Sequence, residues 1–230
     1  MSAIRIEGYA VISEDGMIAD ASGGIPPSLN TDADQKFFEH GLNGADVVVH
    51  GRNSAEHDSG SPFRRRIVMT RRIASIAPDP ANARAVLWNP ASAPFEDAVA
   101  ALKAPVQSAA ILGGTDVFGY FLDRYDVFFL SRIAGVRLPG GRPVFPSVPG
   151  ASPESLLAAH GLADKGCELS APGARRRLAL GQRGAVSKAT RKPALAGRRR
   201  EGENHAIFGI HHMADLFIEP GKSKLSLWRR

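Results

Sequence analysis

Cysteine is almost missing from this chain. Cys167 stands alone, so no intramolecular disulfide can form and no thiolate metal cluster can be assembled within one chain. Long apolar runs are missing too. No stretch approaches the roughly 18 to 20 uninterrupted apolar residues that a membrane span needs. The opening residues pass from Met1 into a mixed segment without the basic, apolar and small-residue regions of a secretory signal. Internal repeats at the 20 to 50 residue periods of solenoids are absent as well. These absences lead to the expectation of a soluble, cytoplasmic protein that neither spans nor binds a membrane.

What is present fits an ordinary globular domain with an appendage: 230 residues, 43% hydrophobic and 23% charged. The net charge of +6 suggests nucleic acid until it is located along the chain. Residues 171 to 230 hold 14 Lys+Arg against 4 Asp+Glu, whereas the first 170 hold 15 against 19. The main domain is mildly acidic, which gives no reason to expect a phosphate-backbone footprint on it.

Apolar patterning divides the first two thirds of the chain into short segments. Ile4 to Ser13 reads as a buried opening strand, followed by an Asp15-Gly16 turn. Met17 to Pro27, rich in Gly, Pro and small residues, reads as a mobile loop. Thr31 can cap a helix from about Asp32 to Gly41, with Asp32 and Asp34 in its first turn and Phe37 and Phe38 toward the core. Buried strands follow at Ala45 to His50, Arg66 to Thr70, Ala85 to Trp88 and Ala109 to Leu112. A helix is expected over Phe95 to Leu102 and another over Val117 to Leu122, then a strand over Asp126 to Arg132. The alternation predicts a three-layer α/β fold, a mixed, mainly parallel central sheet flanked by helices. Ligands of such sheets sit at the carboxyl ends of the strands. Those ends carry His50-Gly51-Arg52, Thr70-Arg71-Arg72 and Gly113-Gly114-Thr115.

The order of these pieces, with VISEDGMIA (Val11 to Ala19), HGRNSAE (His50 to Glu56) and ILGGTDVFGYFLDRYDVFFLSRI (Ile111 to Ile133), resembles the dihydrofolate reductase family and its relative, the reductase domain of riboflavin biosynthesis. The resemblance covers residues 3 to 147. It implies an NADPH-dependent reductase that transfers a hydride to a pterin or pyrimidine-like heterocycle, of the dihydrofolate or 5-amino-6-(5-phosphoribosylamino)uracil reductase type. Carried onto this chain, the family's phosphate contacts fall on Gly51, Arg52, Asn53 and Ser54, where glycine lets a backbone approach pyrophosphate and arginine can fork onto an oxyanion. Thr70, Arg71 and Arg72 match the grip on the 2′-phosphate, which selects NADPH over NADH; the same arginines, with Arg64 to Arg66, also read as a solvated rim. Leu112, Gly113, Gly114, Thr115, Asp116 and Val117 match the strand, glycine pair and helix start that offer backbone N–H groups to phosphate. Ala10, Val11, Ala19 and Ile25 would line the nicotinamide end.

The family's proton-delivering carboxylate falls on Asp34, ahead of Phe38, where a buried acid suits proton transfer. Asp32 and Asp34 are equally well explained as acids at a helix N-terminus. One departure concerns the loop, which reads Gly23-Gly24-Ile25-Pro26-Pro27 where well-known dihydrofolate reductases carry a tryptophan, and this argues against folate itself as substrate. The riboflavin relatives usually bring a zinc deaminase domain with His and Cys ligands; this chain has none, so a stand-alone reductase is what that branch would give.

Beyond Pro146 the pattern changes. The chain divides into a reductase domain over residues 1–160, a basic, poorly assigned insertion or tail over 161–222, and a closing strand over 223–230. Short strands are expected at Ala206 to Ile210, Leu216 to Glu219 and Leu225 to Trp228. The clusters Arg175 to Arg177 and Arg198 to Arg200 offer an alternative function, a non-catalytic nucleotide-binding protein whose tail holds nucleic acid or an acidic partner. No aromatics interleave these clusters, which counts against single-strand stacking. His205, His211 and His212 read as exposed histidines rather than metal ligands. A homodimer is compatible with the family's riboflavin branch.

Overall fold

The computed structural model describes residues 3–54, 61–165 and 223–230. The readings placed on Cys167, the arginine clusters, the three tail histidines and the strands between 206 and 219 lie outside the described residues. In chain order the elements are β1 (Arg5–Ile12), β2 (Met17–Ala19), α1 (Asp32–Gly44), β3 (Val47–Gly51), β4 (Arg66–Met69), β5 (Ile76–Pro78), β6 (Ala85–Trp88), α2 (Phe95–Ala101), β7 (Ser108–Gly113), α3 (Thr115–Tyr120), β8 (Val127–Ile133), β9 (Arg142–Pro143), α4 (Pro153–Ala159), β10 (Ala163–Asp164) and β11 (Ser223–Arg229).

Nine strands form one sheet in the order β10-β11-β8-β1-β7-β3-β4-β6-β5, while β2 and β9 make a small second sheet. From β8 to β6 all neighbours are parallel. The outer pairs β5/β6, β8/β11 and β10/β11 are antiparallel. Parallel strands covered on both faces need near-continuous apolar runs, which Val47–Val48–Val49 and Phe128–Phe129–Leu130 supply. Alternate residues face opposite ways. On one face Tyr9, Val48, Ala110 and Phe129 pack against Phe37 and Leu42 of α1. On the other, Ile6, Ala10, Ile12, Val49 and Ile111 join Phe95 of α2, Phe118 of α3 and Leu157 of α4. The three layers expected from the alternation are present.

Several boundaries differ from expectation for identifiable reasons. Helix α1 does not stop at Gly41 but runs through it, because that glycine accommodates the Tyr9 ring; a Cβ there would lie 2.6 Å from Tyr9 Cε1. Met17–Ala19 is a strand rather than the start of a loop, paired with Arg142–Pro143 from far along the chain. The region after Pro146 also holds a helix, α4. Ser152 caps it by accepting from Ser155 N at 3.1 Å, and Leu157 is fully buried in the core. Strand β11 lies inside the sheet between β10 and β8, with Leu225 and Trp228 buried.

Candidate functional site

Strands β7, β3 and β4 are adjacent and parallel, so the three glycine-rich or basic strand ends arrive side by side. They enclose a cavity of about 650 Å³, within the size range of small-molecule sites. One wall is Gly51, Arg52, Asn53 and Ser54 following β3; another is Met69, Thr70, Arg71 and Arg72 at the end of β4, with Pro90 beyond. The third is Gly114, Thr115, Asp116 and Val117, and the fourth is Ile18, Ala19, Ser22, Gly23 and Arg142.

Local chemistry shapes each wall. Ser54 N donates to Gly51 O at 3.0 Å, closing the turn after β3. A Cβ on Gly51 would sit 3.4 Å from Val117 Cγ2 and 3.5 Å from Gly114 N, so glycine keeps the two walls in close approach. Thr70 is buried, and its Oγ1 accepts from Arg72 N at 3.2 Å, which directs the two arginines outward. Gly113 adopts φ of +92° behind the cavity. Its missing side chain leaves room for Phe118, whose Cε2 would be 2.4 Å from a Cβ. The N–H groups of the first turn of α3 have no intrahelical partners and are free to bind a ligand. On the loop wall, Asp20 Oδ1 accepts from Ser22 N at 2.9 Å, Ser22 Oγ at 2.6 Å and Gly24 N at 3.0 Å. The Ser22 hydroxyl, then the Gly24 amide, hold the Asp20 carboxyl below its usual range.

The cavity is cationic. Arg52, Arg71, Arg72 and Arg142 line it, and Asp116 is the acidic residue among the lining side chains. Arg71 NH2 lies 3.7 Å from Asp116 Oδ2, with both side chains largely exposed, so the pair contributes at most about 1 kcal/mol and leaves Arg71 available. Arg64 and Arg66, grouped with the rim in the sequence reading, are instead buried. Arg64 donates to Asn43 Oδ1 at 2.7 Å, and Arg66 to Ser61 O at 2.7 Å. Arg66 also lies 3.3 Å from His50 Nε2. Because His50 Nδ1 is 2.8 Å from Gly51 O, an acceptor, Nδ1 carries the proton and Nε2 accepts.

The remaining sequence candidates lie elsewhere. Val11 and Leu112 are half-buried on the α1 face of the sheet, whereas Ala10 is buried in the core of the opposite face. Ile25 is 71% exposed and does not line the cavity. Asp34 is buried on α1, where its Oδ2 accepts from Thr31 Oγ1 at 2.6 Å and its Oδ1 from Ser131 Oγ at 2.7 Å. Ser131 pairs with Val11, so the carboxylate is brought to the carboxyl end of β1. Arg142, Met69 and Pro90 were not singled out from sequence. Arg142 reaches the cavity through the β2/β9 pairing, for which two residues of strand carry no readable period.

The glycine-lined gap between β3 and α3 and the cationic rim suit an anionic ligand. Among the described residues no group of three or more His, Cys, Asp or Glu could hold a metal, and no helix is long and apolar enough to cross a membrane. No family model matches the chain and no curated protein matches it by sequence.

The sheet order and layers are those of the dihydrofolate reductase-like fold. Among solved structures, the chain is similar to the diaminohydroxyphosphoribosylaminopyrimidine deaminase/5-amino-6-(5-phosphoribosylamino)uracil reductase of Thermotoga maritima, at 17% identity and a TM-score of 0.50. That match covers 71% of this chain and 52% of the other, so the chain spans about half of that protein. A protein assigned to riboflavin biosynthesis from Shewanella sp. PV-4 matches at 21% identity and a TM-score of 0.47, over 70% of this chain and 88% of that one. The dihydrofolate reductase of Enterococcus faecalis complexed with NADP(H) and RAB-propyl matches at 21% identity and 0.45, over 63% and 79%.

Proposed function

We propose that this chain is an NADPH-dependent reductase that transfers a hydride to a pterin or pyrimidine-like ring. The observation that carries the reading is the single cavity uniting Gly51–Ser54, Thr70–Arg72 and Gly114–Val117. In this reading the first and third groups hold the diphosphate through backbone N–H groups and Arg52. Thr70, Arg71 and Arg72 take the 2′-phosphate that distinguishes NADPH from NADH. Gly113 shapes the turn from behind. Ala10, Val11, Ala19, Ile25 and Leu112 belong to the nicotinamide end, Ala10 through its backbone. The bound nicotinamide supplies the hydride. Asp34, fixed by Thr31 and Ser131, is the residue that delivers a proton to the substrate ring. The substrate in this reading is a small heterocycle, and the enzyme is taken to be cytoplasmic.

The test is titration of NADPH against NADH with the wild type and an Arg71→Ala, Arg72→Ala double variant. NADPH oxidation is then assayed with dihydrofolate and with 5-amino-6-(5-phosphoribosylamino)uracil, for wild type and Asp34→Asn. NADPH binding that weakens in the double variant, with turnover lost in Asp34→Asn, is the expected result. Binding without turnover of either heterocycle would favour a non-catalytic nucleotide-binding protein. A folded protein that binds neither nucleotide would sink the reading.

A further inference from the structure

Arg142 lines the cavity from the β2/β9 pair rather than from the strand ends that carry Arg52, Arg71 and Arg72, and its position is fixed by two separate elements. It pairs with Ala19 across the β2/β9 sheet. The carbonyl of the next residue, Pro143, accepts from Thr115 Oγ1 at the first position of α3. Beyond it, Val144 N donates to Gly16 O at 3.0 Å, and Val144 and Phe145 are fully buried, so the strand is anchored in the core. Arg142 therefore stands beside Gly23, whose Cβ would lie 3.9 Å from its Nε, while Arg71 and Arg72 stand on the β4 wall. Among the described residues Arg142 forms no ion pair; the cavity's one acid, Asp116, is engaged with Arg71.

A cation with no acid partner among the described residues, tied through Pro143 to Thr115 and sharing the cavity with Arg71 and Arg72 on another element, suits a ligand with two anionic centres. We propose that Arg142 is a further anion-binding residue of this cavity, the second arginine on the diphosphate after Arg52. It clamps the diphosphate of a dinucleotide against the Gly114–Thr115 turn, while Arg71 and Arg72 hold the ribose phosphate at the other wall. This assignment rests on reading the cavity as a nicotinamide dinucleotide site. It separates two functions by residue: Arg142 serves NADPH and NADH alike, whereas Arg71 and Arg72 serve NADPH alone.

The experiment titrates full-length wild type, Arg142→Ala, Arg142→Lys and Arg72→Ala with three probes: NADPH, NADH and adenosine 2′-monophosphate, which lacks the diphosphate. Arg142 is exposed, and matching thermal melts verify that each variant is folded. Arg142→Ala is expected to weaken both dinucleotides by one common factor of about tenfold, the scale of one charge-assisted hydrogen bond at a solvated site. It should leave adenosine 2′-monophosphate unchanged. Arg142→Lys should recover part of the loss, and Arg72→Ala should weaken NADPH and the monophosphate but not NADH. If Arg142→Ala matches wild type for both dinucleotides, or weakens the monophosphate as much as NADPH, the clamp is refuted while the nucleotide site stands. If wild type binds neither dinucleotide, the clamp and the reading beneath it both fail.

Discussion

Gly113→Ala is the most informative single change, because two separable costs meet at one Cβ. Gly113 has φ of +92°, and placing an L-residue in such a conformation costs roughly 1–2 kcal/mol. The added Cβ would lie 2.4 Å from Phe118 Cε2 and 2.9 Å from Cδ2 and Cζ. Phe118 is only 1% exposed, with the Phe128 and Phe145 rings at centroid distances of 5.7 and 6.3 Å, so it has little room to retreat. Overpacking of that kind adds about 1–3 kcal/mol. The predicted loss is therefore about 2–5 kcal/mol. Gly135→Ala is the matched control: its φ is +72°, but nothing lies within 4 Å of its Cβ. The control carries the backbone cost and the same unfolded-state entropy change without the clash. Urea unfolding of both variants followed by circular dichroism isolates the packing contribution. Equal losses in the two variants would refute the account of the turn. Because Gly114 and Thr115 follow directly, Gly113→Ala should also weaken nucleotide binding, which Gly135→Ala should not.

Two further outcomes follow from the packing and charge of the scaffold. Leu157 is fully buried in the main core, so Leu157→Ala should cost about 2–5 kcal/mol; a loss below about 1 kcal/mol, the range of surface substitutions, would detach α4 from the domain. Asp15 accepts from Ser13 Oγ at 2.6 Å and Leu138 N at 3.0 Å. Burial pushes its carboxyl up, but those hydrogen bonds and the Arg137 charge outweigh it and leave the carboxyl below its usual range. A folded carboxyl shifted down contributes stability above its unfolded pKa and loses it as pH falls through the folded value. The gap between wild type and Asp15→Asn, about 1 kcal/mol at neutral pH for this partly exposed group, should close on acidification below the ordinary carboxylate range. Urea midpoints at pH 7 and pH 3 decide it, and an unchanged gap would show that the carboxylate charge plays no part.

How much of the site was readable depended on whether its residues announce themselves locally. Runs such as Val47–Val49 and Ala109–Ile111 are long enough to show burial on both faces, and each ends in glycine, so the strand ends could be located. Parallel neighbours then bring those ends together without any further information. The buried state of Arg64 and Arg66 could not be read that way, since their burial depends on Asn43 and Ser61, partners supplied by α1 and a turn. Gly41 looked like a helix stop because glycine in a helix is locally unfavourable, while its actual requirement comes from the Tyr9 ring on another element.

The same reasoning explains why the fourth wall of the cavity, Ala19 apart, escaped notice. Ile18 and Ala19 lie in a segment whose composition reads as loop, and Arg142 lies in one where Pro139, Gly140, Gly141 and Pro143 interrupt any period. Neither segment is a strand by its own propensity; each becomes one by pairing with the other, Ala19 opposite Arg142. The pairing is held from outside, by Val144 N on Gly16 O at 3.0 Å and by Thr115 Oγ1 on Pro143 O. A short two-stranded sheet of this kind is marginal alone, so its order depends on the core beneath Val144 and Phe145 and on the turn at Thr115. The wall that carries Arg142 is thus coupled mechanically to the turn that offers backbone N–H groups. A ligand bound at Gly114 and Thr115 would therefore be bordered by the loop through contacts that already exist, without the loop having to fold around it.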